Sequence, residues 1–125
     1  MSCFWDALLM RLPKKYKELH NINNIQNLYD YMKNNNKKIR MIKINNQPLT
    51  SKFKNECFMA VNNHNDPLTG GYWCSTADPF LLLYCYLFNV SVKHRYLKNE
   101  IYYENTKKYC DNILNFKSSQ SHFST

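Results

Sequence analysis

Ser75-Thr76-Ala77-Asp78-Pro79-Phe80-Leu81-Leu82-Leu83-Tyr84-Cys85-Tyr86-Leu87-Phe88-Asn89-Val90-Ser91-Val92-Lys93-His94-Arg95-Tyr96-Leu97 is the stretch in which one pattern gives way to another. Its first part is apolar on every side, through Leu82, Cys85, Tyr86 and Phe88, and predicts a deeply buried helix. Ser75 or Thr76 can cap that helix, and Asp78 and Pro79 suit its first turn. Asn89 ends it. Val90, Val92, His94 and Tyr96 then alternate with polar neighbours, the pattern of a strand. His94 reads as a structural residue of that strand.

Downstream, 101–103 and 113–116 read as two more short strands, followed by a polar turn and Ser121-His122-Phe123-Ser124-Thr125. Upstream, helical patterns dominate. Residues 24–33 place Ile25, Leu28, Tyr29 and Met32 on one face, and 52–61 suggest a helix through Phe53, Cys57, Met59 and Ala60. Residues 14–20 read as a turn or short helix, and 38–44 as a strand or a helix tail. Residues 62–71 form a loop by composition and hold both glycines, Gly70 and Gly71. Helices mostly first and a small sheet toward the C-terminus make the class α+β, with one domain over 1–125.

The chain begins Met1-Ser2-Cys3-Phe4-Trp5-Asp6-Ala7-Leu8-Leu9-Met10-Arg11-Leu12. Phe4, Ala7, Leu8 and Leu12 carry the spacing of a buried helix face, and Pro13 stops it. Ser2 suits the N-cap, so Cys3 falls at the first helical position. The positive end of a helix dipole favours thiolate there. Acyl transfer by cysteine also needs an imidazole from a distant part of the chain and N–H donors for the oxyanion. Of His20, His64, His94 and His122, the last follows a polar turn after a strand, as a base on the final strand would. Cys57 is a rival nucleophile, but Glu56 beside it opposes thiolate. Cys57, His64 and Cys74 match no standard zinc spacing, so no metal site and no cofactor is expected.

Composition sets the remaining bounds. Five cysteines without a C-x-x-C argue against a disulfide framework and for a reducing compartment, the cytosol. No apolar run is long enough to span a membrane, and Asp6 and Arg11 interrupt the opening apolar stretch, so it does not read as a signal peptide. The net charge of +8 admits an acidic partner such as RNA, with many tyrosines available for stacking, but the lysines are spread along the chain.

Three pieces together resemble an ovarian-tumour-type (OTU) cysteine protease of viral kind, within the papain-like superfamily. They are Cys3-Phe4-Trp5-Asp6-Ala7-Leu8, Gly71-Tyr72-Trp73 with Ala77-Asp78-Pro79-Phe80 through Val92, and Ser121-His122-Phe123. The resemblance implies a small papain-like fold, helices packed around a mainly antiparallel C-terminal sheet, excised from a larger viral protein. It implies a deubiquitinase cleaving after ubiquitin or a ubiquitin-like modifier, with viral polyprotein as a second substrate class, acting as a monomer in the host cytosol. Cys3 would be the nucleophile, His122 the general base and Ser124 the group orienting the imidazole. Trp5, Trp73 and Phe123 become candidate substrate contacts, although Trp73 by itself reads as core and Phe123 as the anchor of the last strand. The chain departs from the family at three points: no Asp precedes Cys3, Cys74 stands where Gly commonly follows the Trp, and Ser124 replaces the usual Asn or Asp. The rival readings are a basic RNA-binding accessory domain and an OTU-like fold that binds a host factor without catalysis.

Overall fold

The computed structural model describes residues 3–65, 68, 72–108, 110, 112–119 and 122–125. The expected Ser2 cap and the turn at Gly70 and Gly71 lie outside them. The described residues form a small α+β domain with the order α1 (Cys3–Arg11), α2 (Lys14–Leu19), α3 (Ile25–Asn34), β1 (Ile42–Ile44), β2 (Gln47–Pro48), α4 (Ser51–Asn63), α5 (Pro79–Phe88), β3 (Ser91–Tyr96), β4 (Asn99–Asn105), β5 (Ile113–Ser118) and β6 (Phe123–Ser124).

The fold is built around α5. Phe80, Leu81, Leu82, Leu83, Tyr84, Cys85 and Phe88 are all buried, because α3 and α4 pack against this helix while its other side lies on β1, β3 and β4. The Tyr84 hydroxyl donates to the Leu8 carbonyl at 2.7 Å, tying α5 to α1 and satisfying a phenol that would otherwise be a buried orphan. Asn89 closes the helix in the left-handed conformation at φ 53°, which asparagine tolerates better than most residues. The cap is Asp78, not Ser75 or Thr76. Its carboxylate accepts from the Phe80 and Leu81 N–H groups at 2.9 and 3.2 Å. Ser75 instead donates to the same carboxylate from its N–H and its hydroxyl.

The six strands form one sheet in the order β2-β1-β4-β3-β5-β6. β3 and β4 make a hairpin, and the chain then recrosses to the other side of β3, so β5 runs parallel to β3 while the other neighbours are antiparallel. The β1–β2 hairpin comes from the helical half of the chain and extends the sheet beyond its expected C-terminal strands. Its turn places Asn45 and Asn46 at φ 48° and 66°, a pair of left-handed residues that matches strand twist.

Two helical faces differ from the sequence pattern. In α4 the buried residues are Cys57 and Val61, whereas Met59 and Ala60 face solvent. In α1 the buried set is wider than one stripe and includes Trp5, which is 1% exposed. Trp5 meets Tyr29 of α3 and Phe80 of α5 edge-on, at centroid distances of 5.3 and 5.0 Å.

Candidate active site

Cys3 opens α1, and His122 stands immediately before the edge strand β6. Although 119 residues separate them, the Cys3 Sγ lies 3.4 Å from His122 Nδ1. The contact has a visible cause. The next residue after each, Phe4 and Phe123, is buried, and their rings pack at 5.0 Å. Phe123 is also stacked on Phe116 of β5 and lies against His94 of β3. Alternation along the strand then turns His122 outward while Phe123 points into the core. The Ser119 N–H donates to the His122 carbonyl at 2.8 Å and pins the backbone that carries the imidazole.

Cys3 is half-buried and His122 exposed, so the pair meets at the surface, where a polypeptide can reach it. Below it, Tyr72 packs on Phe4 at 4.4 Å and donates from its hydroxyl to Asp78 Oδ2 at 2.8 Å. The N-terminus of α1 is thereby joined, through Phe4 and Tyr72, to the cap of α5.

A second cysteine–histidine pair lies deeper. Cys74 Sγ is 3.9 Å from His94 Nδ1, and His94 Nε2 is 2.7 Å from the Ser118 hydroxyl. Burial pushes the Cys74 thiol well above its ordinary value, with the nearby Asp78 adding to the effect, and burial also lowers His94. Both shifts favour neutral partners, so this pair fills the core and does not form an ion pair. Cys57, the rival nucleophile, is 3% exposed, and burial foremost pushes its thiol up to about 11. His64 is engaged elsewhere: the Tyr29 hydroxyl lies 2.7 Å from its Nδ1.

The neutral His94 makes stability depend on pH. The unfolded chain takes up a proton on this residue as pH falls through about 6.5, while the folded chain resists it. The contribution is therefore whole above that value and is lost as pH drops toward the lowered folded value, at no more than about 1.4 kcal/mol per pH unit. Urea midpoints measured between neutral and mildly acidic pH should fall, and His94→Gln should flatten that slope.

The remaining expected residues fall as follows. Trp5 and Phe123 are buried, so neither is a substrate contact; both are packing residues that hold α1 and β6. Trp73, expected in the core, is 80% exposed on the segment whose Tyr72 touches Phe4. No hydrogen bond joins Ser124 to His122 among the described residues; Ser124 pairs in register with Lys117 of β5. Sequence reading did not find Arg95, Lys117 and Ser119 beside His122, because only the strand register brings them there. Among the described residues no group of three His, Cys, Asp or Glu side chains converges as a metal site would, and no helix is long and apolar enough to cross a membrane.

Comparison with known proteins finds no family model that matches the chain, and no curated protein or solved structure that matches it.

Proposed function

We propose that this protein is a cysteine-dependent hydrolase of peptide or isopeptide bonds, with Cys3 as nucleophile and His122 as general base. The observation that carries the reading is the 3.4 Å approach of Cys3 Sγ to His122 Nδ1 at the start of a helix. Nδ1 takes the thiol proton, and Sγ attacks the substrate carbonyl. The first N–H groups of α1 have no intrahelical acceptor and are available to the oxyanion. Collapse breaks the C–N bond, and the imidazolium gives its proton to the leaving amine. Water, deprotonated by His122, then releases the acyl group from sulfur. The resemblance to viral OTU-like proteases supports ubiquitin or a ubiquitin-like modifier as the acyl half, with a viral polyprotein as the further substrate and the host cytosol as the place of action.

The direct test is a ubiquitin derivative carrying a C-terminal electrophile. Cys3 should be labelled, and Cys57, Cys74, Cys85 and Cys110 left unmodified. Labelling at Cys57 would sink the assignment.

Two side chains near the pair should respond differently. Ser124→Ala should cost at most about tenfold in kcat/KM, roughly 1.4 kcal/mol, because the ring is held by its backbone and by Phe123. Phe123→Ala should cost more on the same ubiquitin-derived substrate, since it removes the contact with Phe4. Trp73 remains a candidate substrate contact. Its replacement by Ala should raise KM by up to roughly 30-fold, about 2 kcal/mol, as for an interface aromatic. An exposed indole contributes little to folding, so the melting temperature should hold.

A further inference from the structure

A cleft of about 270 Å³ lies beside His122, lined among others by Arg95, Leu97, Lys117 and Ser119, and Cys3 is not part of its lining. From this cleft we infer that the leaving-group side of the site selects acidic polypeptide through Arg95 and Lys117. The inference rests on the cysteine-hydrolase reading above.

The chemistry sets which half of the substrate enters. As the Sγ–C bond forms and the C–N bond breaks, the nitrogen leaves with a proton from His122. The amine must therefore lie within hydrogen-bond reach of the ring. The polypeptide attached to it departs past the imidazole, on the side away from the thiol. That side is the cleft.

The strand register sets what the cleft prefers. Arg95 of β3 stands opposite Lys117 of β5, and Lys117 stands opposite Ser124 of β6. Residues directly opposite on neighbouring strands share a face of the sheet, and like charges so placed repel. Both side chains are exposed. Glu100 of β4 faces Arg95 from the other side, yet the ion pair found within 4.0 Å among the described residues is Lys14–Glu18, remote from this row. The cation pair thus keeps an unmet demand for negative charge next to the base. Aspartate or glutamate just after the scissile bond, or flanking the lysine of an isopeptide, meets it.

The test uses ubiquitin fused through its C-terminal glycine to short peptides that begin with acidic, neutral or basic residues. The acidic fusion should be cut with a kcat/KM about tenfold above the neutral one, the worth of two partly exposed ion pairs. The gap should narrow at high salt. Arg95→Glu with Lys117→Glu should reverse the order and favour the basic fusion. Labelling of Cys3 by the ubiquitin electrophile is measured alongside. If Cys3 is labelled and the three fusions are cut equally, the inference fails and the hydrolase stands. Equal cutting with single-stranded RNA held by Arg95 and Lys117, and released by the double variant, would assign the cleft to nucleic acid and overturn the inference. If Cys3 is unlabelled and nothing is cut, the hydrolase reading fails and takes the inference with it.

Discussion

Cys3→Ala and His122→Ala should each lower hydrolysis of a ubiquitin-derived substrate by roughly 10⁴-fold or more, and the double variant should be no worse than either alone. This expectation follows from the two groups acting as a unit: without the imidazole the thiol has no proton acceptor at 3.4 Å, and without sulfur the imidazole has nothing to activate. Neither change should unfold the protein. Cys3 is half-buried and His122 exposed, and the contacts that hold the two segments together are made by Phe4 and Phe123. Single-turnover rates and melting curves on the three variants check both halves of the expectation. A near-normal rate from His122→Ala would show the site to be wrongly drawn.

The largest effect on stability is expected at Asp78. It is 0% exposed, and it accepts from the N–H groups of Phe80, Leu81 and Ser75 and from the hydroxyls of Tyr72 and Ser75. Its own N–H donates to the Tyr103 hydroxyl at 2.8 Å. Burial pushes the carboxyl above its ordinary value, and the donors partly offset that. Asp78→Ala removes a helix cap, which costs about 1 kcal/mol. It also strands several partly or fully buried donors, at about 1–3 kcal/mol for each one that water does not reach. The sum is on the order of 3–5 kcal/mol, a large share of the stability of a domain this size. Thermal unfolding followed by circular dichroism should show a fall of roughly 10–20 °C. Asp78→Asn should fall in between. Its amide oxygen can still cap α5, while its NH₂ turns a donor toward the Ser75 N–H, which has no lone pair to offer.

Much of this was legible from residue order. A ten-residue apolar run opening on Asp78-Pro79 fits a buried helix better than a strand, so α5 and the alternating β3 after it were readable, as was the helical start at Cys3. The burial of Phe123 and the outward turn of His122 follow from strand alternation. Trp5 was not legible as core, because a single helical stripe predicts one buried side, and α1 is covered on two, by β6 and by α3. Trp73 erred the other way: an aromatic residue beside a loop gives no sign of whether anything will cover it. The cap was misplaced at Ser75 or Thr76, with Asp78 put in the first turn, because composition does not show that the residue directly before Pro79 is the one that reaches the Phe80 and Leu81 N–H groups. The cation pair at Arg95 and Lys117 was illegible, since no local pattern reveals that β5 runs parallel beside β3 with those two residues abreast.

β6 is a two-residue edge strand, registered on β5 at Lys117 with Ser124 and at Ser118 with Phe123. With so short a ladder, β6 is held chiefly by the buried Phe123 ring, and its opening is expected at a free energy below that of global unfolding. Each such opening would carry His122 away from Cys3 and leave α5 and the central strands intact. Cys3 and His122 are thus joined by a latch that should open more easily than the body it is fastened to. Amide hydrogen exchange at Phe123 and Ser124 would follow the latch, and exchange in α5 the body.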